Sequence, residues 1–424
     1  VSARRVVITG LGLVTPVGIG AADCWSALTS GQSGVGRVNL VGEQGEARHP
    51  AVPEFDVRSY VPDRKLLRLM CRSDRFGLAA AQMAVAEAGA DHYVPERKGA
   101  YIATSKEMGP IEDLFEALRA SRDETGEMTS ALMGSRGFSL IPPMTLVSGL
   151  ANGCLFALSV LHTVTGTNTN FLGSGEASLL AIGTAYQAVQ RGDVEWALAG
   201  GHDSGVDRWS YADFHRLGLV SQWEGDPARA VKAFDRRRDG FAVGEGAGMV
   251  VLEDRAAAES RGAPVLAEVI GYAATCDAAG MVRPDREGTA LAEALREALR
   301  RAGLSPDEVD YVNAYGSATP AGDRTELKAL EEVFGGGRRP LVSGVKGAIG
   351  HLLAASGAVE LVATGLALRS AVVPPTLNLE EPEPDCSFDL VPQEARTAAI
   401  HTAVTISRGI GGQNAVVVLR REEG

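Results

Sequence analysis

Short apolar runs alternate with stretches of helical period along most of the chain, which is the pattern of a layered α/β fold. Arg5–Thr9 predicts a buried strand that ends in the glycine-rich turn GLGLVTPVG. Asp74–Ala88 predicts an amphipathic helix with a small-residue face, followed by a strand at Ala100–Ala103. Glu176–Gln190 predicts a second helix, with Leu179, Leu180, Ile182, Ala185 and Val189 at its apolar positions. A strand over Glu195–Ala199 then ends in Gly200-Gly201. After Leu252-Glu253-Asp254 a second block repeats the alternation: strand Val265–Ile270, helix Gly288–Ala302, strand Val309–Asn313 and helix Arg324–Phe334. The last strand is Ala415–Arg420, leaving a charged tail, Arg421–Gly424. Segments 40–60 and 372–395 are richer in Pro, Glu and polar residues and are expected to be surface loops.

Composition narrows the function classes. At 424 residues, with 45% hydrophobic and 22% charged residues, the chain can bury a large core. Its net charge of −12 and the lack of a basic stripe argue against nucleic acid as a partner. The five cysteines (Cys24, Cys71, Cys154, Cys276, Cys386) have no CxxC spacing. That favours a reducing cytoplasm over a disulfide framework or a metal site. No apolar run reaches the length of a bilayer span, so the expected location is the cytoplasm and no membrane partner is expected.

Three segments carry the candidate chemistry: FDRRRDGFAVGEGAG (234–248), NAYGSATPAGDRTE (313–326) and VKGAIGHLLAASGAVE (345–360). With VVITGLGLVTPVG near the start and GIGGQNAVVVL near the end, they resemble, in order and over nearly the whole chain, the motifs of β-ketoacyl synthases. The resemblance implies a thiolase-like fold, a duplicated five-layered α-β-α-β-α architecture with halves near 1–254 and 255–424. It also implies decarboxylative condensation on acyl carrier protein, with no cofactor and no metal. GEGAG (244–248) lacks the lysine of a phosphate-binding loop and leads into a strand at Met249–Leu252, so close backbone packing explains it better. Cys154, in LANGCLFALSVL, is expected in the core.

Such enzymes need a cysteine at a helix N-terminus, two histidines, a lysine that positions one of them, and a glycine-rich turn that supplies an oxyanion donor. The resemblance is similar without a gap over Gly166–Ala185, GTNTNFLGSGEASLLAIGTA, and places the nucleophile at Gly175. Ser174 and Ser178 are the nearest hydroxyls, with no base evident for either. The first histidine position is Tyr315, a poor proton shuttle near neutral pH. Lys346, His351 and Glu360 remain. They are either a surviving half of the site or a polar network kept because abandoned buried polar groups are costly. In the C-terminal turn Ile410, followed by Gly411, replaces an aromatic that commonly gates the acyl pocket.

Loss of both nucleophile and histidine resembles the chain length factors of type II polyketide synthases, although many of those carry glutamine where Gly175 stands. That resemblance implies no catalytic residues in this chain and two partners: an active ketosynthase subunit in a heterodimer, and a carrier protein bearing a phosphopantetheine-tethered acyl chain. It also implies a helix within Ala103–Arg122 that closes the partner's acyl tunnel, with Ile111, Leu114 and Leu118 on one face. An ordinary core helix has the same periodicity. The competing expectation is a stand-alone decarboxylase or acyltransferase using His351 and Lys346.

Overall fold

The computed structural model describes residues 4–39, 46–89, 92–105 and 112–422. Ten strands carry the architecture: β1 (Val6–Thr15), β2 (Lys98–Thr104), β3 (Asn168–Leu172), β4 (Trp196–Ser204), β5 (Glu245–Asp254), β6 (Ala267–Cys276), β7 (Tyr311–Asn313), β8 (Leu341–Ser343), β9 (Thr402–Arg408) and β10 (Gln413–Arg420). The helices that matter for the site are α1 (Arg72–Ala88), α2 (Glu112–Ala120), α3 (Gly153–Leu161), α4 (Ala177–Arg191), α5 (Arg208–Arg216), α6 (Thr289–Ala302), α7 (Pro320–Phe334) and α8 (Ser356–Ser370).

The strands lie in the order β8-β7-β9-β10-β6-β1-β5-β4-β2-β3. Each half repeats one topology. From its outer edge inward, each set of five runs third, second, fourth, fifth, first in chain order. In both halves the two outer pairings are parallel and the two inner ones antiparallel. The halves meet where Val6–Ile8 of β1 pairs with Ala267–Val269 of β6.

Helices α4 and α8 pack against each other between the two halves, α1 covers β1, β5 and β4, and α6 covers β6 and β10 with α7 beside it. The layers are therefore helix, sheet, helix, sheet, helix. Helix α8 is buried on every side from Ser356 to Leu368, as a helix inside a three-layer contact must be. α1 reaches β1 closely because Gly10 and Gly12 have no side chains. A Cβ on either would overlap a carbonyl of α1, Ala84 O or Ala80 O.

That close approach explains where the pattern of residues misleads. GLGLVT was expected to end the first strand, yet β1 continues through it to Thr15. Likewise β4 runs through Gly200-Gly201 to Ser204; GEGAG packs closely as expected, a Cβ on Gly248 meeting the backbone of Val359 at 2.6 Å, but β5 starts earlier than Met249, at Glu245. These glycines serve packing between layers and do not turn the chain. Segment 372–395 is not simply a surface loop, because residues 373–377 are buried. Within the expected 40–60 loop, Glu46–Pro50 pairs with Val35–Asn39 as a small hairpin. The expected 103–122 helix is shorter: Ala103 and Thr104 end β2, and the helix is α2. Ile111 lies outside the described residues. No helix among the described residues is long and apolar enough to cross a membrane.

Gly12→Ala should lower unfolding stability by about 1–3 kcal/mol through overpacking against α1, measurable by urea titration; an unchanged midpoint would show that α1 can retreat at no cost.

Candidate functional site

The site forms where four segments converge between the layers. Gly175 ends the β3–α4 connection and directly precedes Glu176, the N-cap of α4. Tyr315 follows β7, Lys346 and His351 follow β8, Glu360 projects from α8, and Arg408-Gly409-Ile410 leads through the β9–β10 turn. Strand ends and helix starts thus bring together Gly175, Tyr315, Lys346, His351, Glu360 and Ile410.

Tyr315 occupies the centre. Its Oη lies 2.7 Å from His351 Nε2, and the two rings meet edge to face at 87°. His351 Nδ1 accepts the backbone N–H of Leu353 at 3.1 Å. The neutral imidazole therefore carries its proton on Nε2 and donates it to the tyrosine oxygen. Burial, reinforced by the nearby Lys346 charge, holds His351 well below the usual histidine range, so it is neutral. Burial, with the Glu360 carboxylate second, pushes Tyr315 well above its ordinary value, so it remains a phenol.

Lys346 is committed as well. Its Nζ donates to Tyr315 O at 2.5 Å, sits 4.0 Å above the Tyr315 ring and pairs with Glu360, both side chains being fully buried. Burial raises Glu360 to about 7 in spite of that lysine. Glu326 of α7 accepts the backbone N–H groups of Tyr315 at 2.7 Å and Gly316 at 2.9 Å, and burial raises it also to about 7. Tyr315, His351, Lys346 and Glu326 each hold another group in place, and Glu360 does so through Oε1 while its Oε2 is buried without a hydrogen-bond partner.

At the nucleophile position the space is filled. A Cβ on Gly175 would lie 2.5 Å from Arg408 O, 3.0 Å from Tyr315 Cε2 and 3.1 Å from Tyr315 Oη. The flanking hydroxyls have structural tasks: Ser174 Oγ accepts the Ile410 N–H at 3.4 Å, and Ser178 Oγ accepts the Ala358 N–H at 2.8 Å. The N–H groups of the C-terminal turn are spent within the chain, because Gly411 N donates to Met281 O at 2.7 Å. The cavity over Tyr315, bordered by Phe241, Met281, Arg408 and Ile410, holds about 70 Å³. Small-molecule pockets usually measure roughly 300 Å³ or more.

The β-ketoacyl synthase N-terminal domain profile matches residues 3–258 and the C-terminal domain profile residues 266–380. The chain belongs to the β-ketoacyl synthase family. It is 34% identical over 423 residues to a 3-oxoacyl-[acyl-carrier-protein] synthase 2 of Synechocystis, covering 99% of this chain and 98% of that one. The corresponding synthase 2 of Rhizobium meliloti is 35% identical over 435 residues, covering 99% and 100%. Among solved structures, the ishigamide ketosynthase/chain length factor superposes with TM-score 0.87 at 30% identity, covering 100% of both chains. The complex AntDE:AntF, a type II polyketide synthase acyl-carrier protein with its ketosynthase bound to the hexaketide, superposes with TM-score 0.82 at 29% identity over 100% of both.

Leu114 and Leu118 lie one turn apart on α2, both half-buried. α2 is fastened to its own chain by Phe115, since the Arg208 guanidinium lies 5.0 Å from both the Phe115 and the Trp209 ring. The motif reading missed three residues of the site. Glu326 closes the NAYGSATPAGDRTE segment, and a buried acid two backbone donors could use was foreseeable there. Arg408 directly precedes GIGGQN and is almost wholly buried, pairing with Asp277 at 3.2 Å and donating to Asn414 Oδ1 at 3.0 Å. Phe241 stacks at 4.6 Å on His351, a contact without a local sequence signal.

Gly175→Cys should lower stability by about 1–3 kcal/mol, and its thiol should resist iodoacetamide in the folded chain, read by mass spectrometry. Adding Tyr315→His should recover part of that stability; rapid alkylation of the single variant would contradict the packing. Glu360 ionises near 7 when folded and near 4.5 in its ordinary state, so the folded form binds the extra proton between these values. Its contribution to stability is then present below about 4.5 and is lost as pH rises towards 7. Compared with Glu360→Gln, the wild type should lose on the order of 2 kcal/mol between pH 5 and pH 8, measured by denaturant unfolding; a constant difference would contradict the assignment.

Proposed function

We propose that this chain is a chain length factor: a ketosynthase-like subunit, without catalytic residues of its own, that pairs with an active ketosynthase and bounds the tunnel in which a carrier-tethered polyketide grows. The observation that carries the reading is the Tyr315 ring, packed beside Gly175 and bonded to His351 Nε2. A site built this way holds neither nucleophile nor free imidazole, and its cavity is too small for a pantetheine arm. On this reading the halves 1–254 and 255–424 are the two repeats of a scaffold kept for assembly, and the protein works in the cytoplasm.

Two surface features support partners. Phe138, Leu140, Met144, Leu146, Val147, Leu150, Phe156, Val160 and Leu172 are all exposed, between 38% and 77%, within one stretch of chain. That stretch ends in β3, which among the described residues pairs only with β2 and is an edge of the sheet. Apolar side chains gathered at an open strand edge suit burial against a second subunit. Separately, Arg58, Arg64, Lys65, Arg68, Arg72 and Arg75 are exposed on a chain of net charge −12. Arg58, Arg72 and Arg75 line a cavity of about 730 Å³ together with Glu54 and Asp56, with Arg58 paired to Asp56 and Arg72 to Glu245. A phosphopantetheine-bearing carrier, anionic through its phosphodiester, has the charge that this cluster attracts.

The tunnel role falls to α2, with Leu114 and Leu118 as its candidate lining residues and Ile111 as a third on the sequence reading. Co-expressed with a ketosynthase, the chain should give a one-to-one complex whose products shorten on Leu114→Phe, because a larger side chain at a tunnel end overpacks sooner. The chain alone should release no CO₂ from malonyl-carrier protein above background. Unchanged product length would defeat the tunnel role, and clear turnover by the chain alone would favour a decarboxylase using His351 and Lys346.

A further inference from the structure

Helix α5 has no fully buried residue and is fastened to the rest of the chain by aromatic rings. Its start is fixed by Asp207, whose Oδ1 accepts the N–H groups of Trp209 at 2.8 Å and Ser210 at 2.9 Å. Tyr211 meets the buried His49 ring edge-on at 5.5 Å, and Phe214 meets Phe241 at 5.7 Å and 70°. Phe241 in turn lies 4.6 Å from His351, so α5 is braced on the closed interior around Tyr315. At its other end Arg208 lies against two rings, Phe115 of α2 and its own neighbour Trp209, 5.0 Å from each centroid. Those rings are 5.8 Å apart and tilted by 51°. Among the described residues no other cation sits against two rings.

α2 is held on its opposite side by close packing. Ala117 is buried, and Ser121 Oγ donates to Ala117 O at 2.6 Å. The chain at Gly137 comes so near that a Cβ there would lie 2.5 Å from Ser121 Oγ and 3.0 Å from Ala117 O. That segment runs directly into the exposed Phe138 and Leu140. Phe115 and Ala117 stand about 200° apart around the helix axis, so the two grips act from opposite sides. Leu114 and Leu118 share the face between them. A hold on Phe115 therefore sets the rotation and depth of α2 without occupying the face that carries the two leucines.

We propose that Arg208 is a positioning residue for product length: its contact with Phe115 and Trp209 holds α2 in place, so that Leu114 and Leu118 stop the growing chain at one length. This rests on the tunnel reading given under Proposed function and adds what keeps the stop from moving. The lining side chains decide where the growing chain meets resistance, and the clamp decides whether the helix yields to it. A guanidinium suits that task on an exposed helix, because its flat face covers aromatic carbon while its charge stays in water.

The test is product analysis by mass spectrometry for the chain co-expressed with a ketosynthase. Arg208→Ala should raise the ratio of longer to normal product by roughly two- to fivefold, the weight of a cation–π contact at an exposed site. Trp209→Ala should do the same, and Trp209→Phe, which keeps a ring, should stay within about twofold of wild type. Added to Leu114→Phe, Arg208→Ala should reverse about half or more of the shortening, because an unclamped helix can retreat from the larger side chain. Arg208→Ala should leave the complex one-to-one and the Tm of the isolated chain within about 2 °C, since Arg208 is exposed. Unchanged product length in Arg208→Ala, or a double variant as short as Leu114→Phe alone, would overturn the proposal. Loss of the complex or a larger fall in Tm would also overturn it, as signs of a merely structural role. If Leu114→Phe alone leaves product length unchanged, the tunnel reading falls and takes this inference with it.

Discussion

The hydrogen bond between Tyr315 and His351 governs the interior of this molecule. Buried imidazole and phenol are both most stable when neutral, and this pair lets both stay neutral: the imidazole donates from Nε2 while its other nitrogen is held by Leu353 N–H. The phenol ring then covers Gly175, and its backbone carbonyl receives the Lys346 ammonium. Lys346 in turn needs Glu360, which sits on the fully buried α8. Removing any one member would leave another as an uncompensated buried polar group, which is why such networks persist as a unit.

This clarifies what the residues retained from a catalytic family are for. Lys346, His351 and Glu360 could have meant half of a working site. In the structure Lys346 and His351 are committed to neighbours, Glu360 gives Oε1 to Lys346 while its Oε2 has no partner, and the hydroxyl of Tyr315 takes the donor that a neutral His351 has to offer. The rest follows the same course: Ser174 and Met281 O engage the N–H groups of the turn, and Arg408 fills the floor while bonded to Asp277 and Asn414. The scaffold survives because ten strands and their covering helices are packed too closely to drift, down to glycines where α1 touches β1.

Much of the fold could be read from the chain, and the helices especially. α1, α4 and α6 begin and end within about two residues of their apolar patterns, because caps and breakers such as Gly192 and Gly303 are local signals. Strand lengths were harder. Gly10, Gly12, Gly200 and Gly201 look like turn formers, and only the layer packed against them shows their purpose, whereas the GEGAG glycines read correctly as close packing. For the site, gap-free register located Gly175 and motif spacing located Tyr315, Lys346 and His351. Nothing local could show that the Tyr315 ring would fill the room of the missing nucleophile, because that depends on segments far apart in the chain.

The most direct test is to co-express the chain with a ketosynthase, treat the complex with a carrier protein bearing an electrophilic pantetheine analogue, and weigh both subunits by intact-mass spectrometry. If the interior around Tyr315 is closed to chemistry, the added mass will sit on the partner alone and this chain will keep its native mass. Stoichiometric labelling of this chain, on Ser174 or any other side chain near Gly175, would contradict the account.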